Sequence, residues 1–209
     1  MKKLWYLTIA LVLILAAISV PAVAAEEEPT QYTSGDYRYT LQPDGTAAIV
    51  KYTGSASELS IPDTLDGHAV TAIGNSAFYS CGSLTSVTIP DGVTSIGDEA
   101  FSSCKSLTSI SIPDGVTSIG YEAFSSCKSL TRISIPDGVT SIGDGAFKSC
   151  DSLANVSIPE SVTSISKYAF AGCSEFLTLT VVRNSWAASW CKENGMNYTY
   201  TDALDWLKQ

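Results

Sequence analysis

The stretch SLTSVTIPDGVTSIGDEAFSSCK, residues 83–105, is followed at residues 106–128 by SLTSISIPDGVTSIGYEAFSSCK. The two 23-residue copies are identical at 20 positions, and less regular copies flank them. Three columns keep this period over five units: Leu84, Leu107, Leu130, Leu153 and Phe176; Ile73, Ile96, Ile119, Ile142 and Ile165; and Phe78, Phe101, Phe124, Phe147 and Phe170. An internal period of about 20–50 residues is typical of solenoids, in which each unit buries its apolar face by stacking on its neighbours. The sequence therefore predicts a stacked array of coils.

The first part of each unit predicts two short strands separated by a turn. Val87 and Ile89 alternate with polar residues, which favours a strand whose every second side chain faces inward. The Pro-Asp-Gly sequence of residues 90–92 ends this strand, because proline presets the turn and glycine permits a positive φ. Val93 and Ile96 then predict a second short segment that also faces the core.

The last part of each unit predicts a single helical turn. Ala100, Phe101 and Cys104 are spaced so that they share one face of a helix, and Asp98 is a candidate N-cap. The predicted fold class is therefore mainly β with short helical turns.

The complete pattern, L-x-x-V/I-x-I-P-D-G-V-T-S-I-G-x-x-A-F-x-x-C, resembles the BspA-like (Treponema-type) leucine-rich repeat family. The resemblance covers roughly residues 59–183 and implies a curved leucine-rich-repeat solenoid, in which each unit adds a strand to a parallel sheet. It also implies an exported or cell-surface binding module, often involved in adhesion. The common leucine-rich pattern has an Asn or Cys soon after the strand, whereas this chain has a Pro-Asp-Gly turn there and a cysteine after Ala-Phe.

The two ends of the array predict caps. Residues 26–58 form the predicted N-terminal cap, with a β-hairpin over 36–52 around Pro43-Asp44-Gly45. Residues 59–183 form the solenoid, and residues 184–209 the C-terminal helix and strand cap. In that cap Asn184 or Ser185 begins a helix, Gly195 ends it, Tyr198 and Tyr200 follow in a last strand, and residues 203–207 predict a tail helix.

Residues 1–25 have the pattern of a secretory signal peptide, with two lysines, an apolar run and small residues before the expected cleavage site. A retained membrane anchor is the alternative. Removing the signal leaves 10 Lys and Arg (12 − 2) against 21 Asp and Glu, a net charge of −11. This charge disfavours nucleic acid, because phosphate backbones are bound by cationic side chains. We expect a secreted or cell-surface protein that does not insert into the membrane after cleavage, and its oligomeric state stays open.

Five cysteines, Cys81, Cys104, Cys127, Cys150 and Cys173, repeat with the same period, and Cys191 lies in the C-terminal cap. Either a disulfide framework or a column of buried free thiols fits this pattern. We expect free thiols, because coils usually fan apart on the helix side. No metal site is expected since a C-x-x-C cluster is missing, and no cofactor is expected.

Catalysis is not expected from this sequence. His68 is the only histidine, and no serine or cysteine can be paired with it on spacing. We expect His68 to be a loop residue that covers the first repeat. The acidic column Asp91, Asp114, Asp137 and Glu160 suggests calcium only weakly, because Asp is the ordinary residue of such turns.

Candidate partner-binding residues are the outward strand positions together with exposed positions where the copies differ. They are Ser86, Thr88, Ser109, Ser111, Arg132, Ser134, Asn155, Ser157, Tyr121, Lys148, Lys167 and Tyr168. The first hypothesis is protein–protein interaction or adhesion, with a host or bacterial extracellular protein as the partner. A glycan-binding module is the alternative, weakened because the strand columns contain no aromatic residue. A non-binding structural spacer of a surface assembly is the third interpretation.

Overall fold

The computed structural model of the protein describes residues 29–201. The N-terminal part is an antiparallel meander of β1 (Gln31–Ser34), β2 (Tyr37–Leu41) and β3 (Ala47–Tyr52). The predicted hairpin is confirmed as β2 and β3, whereas β1 is an additional strand that lies at the edge of the sheet. Tyr39, Ala47 and Ile49 are buried, so the meander presents an apolar side to the first coil.

Each of the next five coils contributes one strand to each of two sheets, and the last two described strands extend only one of the sheets. The strands are β4 (Glu58–Ser60), β5 (Thr64–Leu65), β6 (His68–Ile73), β7 (Ser86–Thr88), β8 (Ser95–Ile96), β9 (Ser109–Ser111), β10 (Ser118–Ile119), β11 (Arg132–Ser134), β12 (Ser141–Ile142), β13 (Asn155–Ile158), β14 (Ser164–Ile165), β15 (Thr178–Val181) and β16 (Tyr198–Tyr200). One sheet has the order β16-β15-β13-β11-β9-β7-β4, and all of its pairs are parallel. The other continues the meander as β3-β6-β8-β10-β12-β14, with β5 paired to β6. The predicted leucine-rich-repeat solenoid is confirmed, with a second sheet beside the expected one.

The third side of each coil is also hydrogen-bonded from coil to coil, which differs from the predicted helical turn. The N–H of Phe78 donates to the Ala100 carbonyl oxygen at 2.8 Å, and Phe101 bonds to Ala123 in the same way. Residues of this segment adopt positive φ angles at regular intervals, as at Glu99 (54°). The expectation of Asp98 as a helix N-cap is therefore wrong. Its Oδ1 atom accepts the N–H of Tyr121 in the next coil at 2.8 Å.

A column of aromatic rings fills the core. Consecutive phenylalanines from Phe78 to Phe170 stack with ring centroids 4.9–5.5 Å apart. Tyr52 continues the stack at the N-terminal end at 5.3 Å, and Trp190 closes it at the C-terminal end at 6.3 Å. Tyr52 and Trp190 in the two caps thus cover the outer faces of the first and last phenylalanine rings.

Two expectations about single positions are wrong. Phe176 does not continue the leucine column: it is 76% exposed, and Leu177 takes the buried place at 3%. The strand that follows keeps the period of 23, since Asn155 pairs with Thr178, so only the buried position just before the strand is shifted by one residue. His68 lies in strand β6 rather than in a loop, and its Nδ1 atom donates to the Gly45 carbonyl oxygen at 2.8 Å.

The C-terminal cap contains helix α1 (Trp186–Asn194) and strand β16. Ser185 is the N-cap, since its side chain accepts the N–H of Ala188 at 3.1 Å, and Gly195 ends the helix with a φ of 67°. These two positions confirm the predicted helix bounds. The predicted signal peptide and tail helix lie outside the described residues. Within the described part of the chain, no helix has the length and apolar character needed to cross a membrane.

Candidate binding surfaces

The outward side of the seven-stranded sheet, called here the strand face, carries eight of the twelve candidate residues. Its middle positions are buried, as in the pattern of exposed Ser109, buried Ile110 and exposed Ser111. Parallel pairing sets equivalent residues side by side: Arg132 beside Asn155, and Ser134 beside Ser157. The result is a flat field of short hydroxyl side chains, interrupted by one guanidinium and one amide group.

The centre of the strand face is a shallow depression of about 320 Å³. Three successive strands line it, with Val87, Ile110 and Ile133 among the lining residues and Arg132 as the cationic one. A guanidinium has five N–H donors and keeps its charge at all physiological pH values. This depression offers a partner a strong donor next to hydroxyls that both donate and accept.

The strand face extends further than the sequence analysis proposed. Thr178 and Thr180 pair in register with Asn155 and Ser157. In strand β16 the exposed Thr199 pairs with Thr180 and extends the strand face, whereas Tyr198 and Tyr200 pair with buried residues and pack against the core. The Arg183 guanidinium lies 4.3 Å from the centre of the Tyr200 ring. Thr178 follows Asn155 by one period of 23, so the repeat itself was the signal for this extension.

An acidic row borders the strand face along the turns that follow its strands. Asp91, Asp114, Asp137 and Glu160 are exposed, and within residues 29–201 none of their side chains forms a hydrogen bond or ion pair. Asp91 and Asp114 line one surface trough, and Asp137 and Glu160 line another. No group of three or more His, Cys, Asp or Glu among the described residues is arranged to hold a metal ion.

The other four candidate residues lie on a separate side, the turn face, formed by the segments between the second sheet and the next coil. Tyr121 donates its hydroxyl to the Glu122 carboxylate at 3.2 Å, and Lys148 approaches the same oxygen at 3.4 Å. The negative charge of Glu122 raises the pKa of Tyr121. Lys167 lies 5.5 Å from the centre of the Tyr168 ring. Glu122 is not among the residues predicted from the sequence, because the preceding copy also has a glutamate, Glu99, at this position.

The cysteines are not part of either surface. All six are free thiols, as expected, and four of them are fully buried. The expected reason was wrong, since the coils do not fan apart here. Four thiols of the column, those of Cys104, Cys127, Cys150 and Cys173, instead donate to a phenylalanine carbonyl of the preceding coil, as Cys104 does to Phe78 at 3.1 Å. Burial raises the pKa of Cys104 to about 12, so this thiol is neither a nucleophile nor a metal ligand at neutral pH.

Comparison with known proteins supports the relationship that the repeat pattern suggests. A leucine-rich cell surface protein from Faecalibacterium prausnitzii is 33% identical, with a TM-score of 0.68 over 77% of this chain and 41% of that one. A leucine-rich repeat protein from Bacteroides ovatus is 36% identical, with a TM-score of 0.65 over 72% of this chain and 40% of its own. The present chain thus spans about two fifths of each of these proteins. No curated protein matches the chain.

A more distant structure, the leucine-rich repeat protein of T. pallidum, shares the fold at 24% identity and a TM-score of 0.52, with 81% of this chain and 98% of that one covered. The sequence profile of the BspA type leucine-rich repeat region matches six copies over residues 52–186. This range contains every coil of the solenoid and most of the chain. The chain therefore belongs to the BspA-type leucine-rich repeat family.

Proposed function

We propose that this protein is an exported or cell-surface module that binds an extracellular protein through its strand face and catalyses no reaction. In this proposal residues 1–25 direct export, residues 26–58 and 184–209 cap the array, and residues 59–183 present the binding surface. The family membership supports the proposal, as does the similarity to a protein described as a leucine-rich cell surface protein. The partner is an extracellular protein of host or bacterial origin.

The observation that carries the proposal is the pairing of Arg132 with Asn155 on neighbouring strands. Serine stands at the equivalent place in the two preceding units, Ser86 and Ser109, so a regular hydroxyl surface is fully compatible with the fold. Arginine is enriched in the small set of residues that dominate interface energies. We infer that these two side chains select the partner from the depression that Arg132 lines.

The test replaces Arg132 and Asn155 together by serine, which restores the residue type of the preceding units. A partner captured from host or bacterial extracts is purified. Its dissociation constant is measured with the intact protein, with this double variant and with a control variant. The Arg132→Ser/Asn155→Ser variant is expected to raise the dissociation constant at least tenfold, equivalent to about 1.4 kcal/mol.

The matched control is Arg38→Ser, which removes the same charge from the exposed side of the N-terminal meander. Its dissociation constant should equal that of the intact protein. Equal affinities of all three proteins would show that the partner binds elsewhere. Equal losses of affinity in the double variant and in Arg38→Ser would show that the affinity depends on the net charge of the protein and not on the strand face.

A further inference from the structure

Strand β1 is an uncovered edge of the nine-stranded sheet. It pairs only with β2, and three of its four residues are exposed. The two-residue turn between these strands makes Ser34 and Tyr37 the closing hydrogen-bonded pair of the hairpin. Hydrogen-bonded and non-hydrogen-bonded pairs alternate along an antiparallel ladder, so Gln31 and Thr33 direct their N–H and C=O groups outward. Strand β1 thus presents unpaired backbone donors and acceptors to another chain.

This edge strand is held in place by contacts with the rest of the protein. The Asp66 carboxylate, at the tip of the hairpin formed by β5 and β6, accepts the Ser34 hydroxyl at 2.8 Å and the Tyr39 hydroxyl at 2.9 Å. In the turn between β1 and β2, the Asp36 carbonyl oxygen accepts the N–H of Thr53 at 2.8 Å. A chain that pairs with β1 therefore meets a strand that is already ordered, which lowers the entropic cost of binding.

Strand β1 lacks the features that usually protect an exposed edge from a second chain. Proteins protect such edges with charged side chains, proline or a β-bulge. The sequence of β1, QYTS, contains no charged residue and no proline, and the nearest β-bulge lies between β2 and β3. The opposite end of the same sheet is different, since helix α1 packs on β14. Of the two ends of this sheet, β1 is the one that is open to a further strand.

The charges around β1 permit a second copy of this chain to approach. The whole chain has a net charge of −9, so two copies repel each other in general. Residues 29–54, which form the meander, contain two acidic and two basic residues and therefore have no net charge: Asp36, Asp44, Arg38 and Lys51. The Asp66 carboxylate adds one negative charge and already accepts two hydrogen bonds. Three glutamates, at positions 26–28, precede the meander in the sequence, so salt is expected to reduce the remaining repulsion.

Two copies of β1 can pair in a register that is symmetric about Tyr32. A two-fold axis at this residue sets Gln31 opposite the partner copy's Thr33, and each such pair exchanges both of its backbone hydrogen bonds. Tyr32 is 41% exposed, and its ring stacks on Tyr39 with the ring centroids 5.4 Å apart. Residues in a non-hydrogen-bonded pair bring their side chains close together, so the two Tyr32 rings meet and extend this stack across the axis.

We propose that β1 is a homodimer interface, at which two copies of this protein join their nine-stranded sheets edge to edge through an antiparallel pair of β1 strands. The interface is isologous, because a two-fold axis brings the same residues of both copies together. A strand of four residues buries little surface, so the dimer is weak and forms at high protein concentration. The strand face belongs to the other sheet and stays open in both copies, so the dimer is independent of the function proposed above.

The test is sedimentation velocity of the intact protein at increasing concentrations, in low and in physiological salt. The sedimentation coefficient is expected to rise from that of a monomer toward that of a dimer. The dissociation constant should fall when salt is added, because salt screens the repulsion between two acidic chains. Thr33→Pro removes an outward N–H group but no hydrogen bond between β1 and β2, so it should weaken the dimer at least tenfold. Thr33→Val is the matched control: it keeps the N–H group and the β-branched shape, and its dissociation constant should equal that of the intact protein.

Disulfide cross-linking under mild oxidation tests the register of the pair. Tyr32→Cys places two thiols opposite each other across the two-fold axis and should give a covalent dimer. Gln31→Cys places the two thiols on a diagonal roughly 7–8 Å apart and should not cross-link, whereas an equal mixture of Gln31→Cys and Thr33→Cys should. The six native cysteines are common to all of these proteins, so the intact protein shows the background of cross-linking.

The proposal is overturned if the intact protein stays monomeric at every concentration in both salt conditions, or if Thr33→Pro and Thr33→Val dimerise equally well. It is also overturned if Gln31→Cys alone cross-links as fast as Tyr32→Cys, because the strands would then pair in another register. A dimer that weakens when salt is added would contradict it as well, since attraction between charged groups would then hold the two copies together.

Discussion

At the scale of the residue, the cysteine column shows how one side chain satisfies several requirements at once. From Cys104 onward, each thiol of the column fills space beside the phenylalanine stack and donates a hydrogen bond to a carbonyl of the preceding coil. Free cysteine packs as a small apolar residue, and its S–H group is a weak donor. Serine at this position would bury a stronger polar group, and alanine would leave the volume empty.

The protonation of these thiols predicts an alkaline loss of stability. Burial raises the pKa of Cys104 to about 12, against an ordinary value of 9.0 in the unfolded chain. Above pH 9 the unfolded chain therefore loses protons that the folded protein keeps, so stability is full below that pH and falls as the pH rises. The expected loss is about 1.4 kcal/mol per pH unit for each such thiol.

Urea unfolding at several pH values between neutrality and strong alkali measures this slope. The control is Cys104→Ala/Cys127→Ala, which unfolds more easily at neutral pH because two packed groups are missing. Its stability should fall less steeply with rising pH. Identical slopes for both proteins would mean that tyrosine and lysine titration alone produces the alkaline effect.

Two predictions about single residues, Phe176 and Asp98, were wrong. The column rule placed Phe176 in the core because it follows Leu153 by one period, yet Leu177 is buried instead. The two residues are adjacent and both apolar, and the next strand keeps the period of 23, so the period alone does not show that the buried position is shifted by one residue. Asp98 has the residue type of an N-cap, but an exposed carboxylate accepts a neighbouring-coil N–H equally well.

At the scale of the element, helix α1 depends on the side chain that begins it. Ser185 is 6% exposed, and its hydroxyl oxygen accepts the Ala188 N–H. Replacing Ser185 by alanine is expected to lower the free energy of unfolding by about 1 kcal/mol, since a buried donor loses its partner. Chemical denaturation followed by tryptophan fluorescence reports this change, because Trp186 and Trp190 lie in the helix.

Ser189→Ala is the control for this helix. Ser189 is exposed, and alanine is the better helix former, so its free energy of unfolding should stay equal or rise slightly. A loss at Ser189→Ala as large as the loss at Ser185→Ala would contradict the capping role. The cap was predictable because Ser185 and Gly195 bound an otherwise regular helical segment.

The segment from Gly97 to Cys104 could not be predicted in the same way. Its apolar spacing of three and four residues is shared by a helical turn and by a coil that alternates between right-handed and left-handed backbone conformations. What decides is the hydrogen-bond partner in the next coil, such as the Ala100 carbonyl for Phe78, and a single unit does not contain that information. The backbone preference of single residues also disfavours this conformation, because a positive φ is unfavourable for a residue with a Cβ atom such as Glu99.

At the scale of the whole molecule, the repeats form one continuous core with nearest-neighbour contacts. Stability in such an array is approximately a sum over units and over the interfaces between them. The sequence predicted this level well, because columns such as Ile73 to Ile165 and Phe78 to Phe170 persist across five units. The candidate binding surfaces were less predictable. Copies differ at exposed positions both through selection for binding and through random substitution, and the repeat period does not distinguish these two causes.

Deletion of residues 83–105 tests this additivity. The cut joins Gly82 to Ser106, so the next copy takes the place of the one removed and β4 meets β9 in the register that it had with β7. The shortened protein is expected to fold with the same far-UV circular dichroism per residue and with a lower free energy of unfolding.

The out-of-phase control removes residues 83–94, about half a unit, and should abolish cooperative unfolding because every later column loses its neighbour. A folded half-unit deletion would contradict the stacking of equivalent columns. An unfolded whole-unit deletion would show that the first coils form a single indivisible block.

Hydrogen bonds on all three sides of each coil have a mechanical consequence. In the extracellular setting proposed above, the protein would be pulled by fluid flow and by its bound partner. When tension acts on the two chain ends, each terminal coil peels from its neighbour one bond at a time, while the inner coils stay intact. The array should therefore lengthen in steps of about one coil and dissipate work at each step, as an extensible tether does.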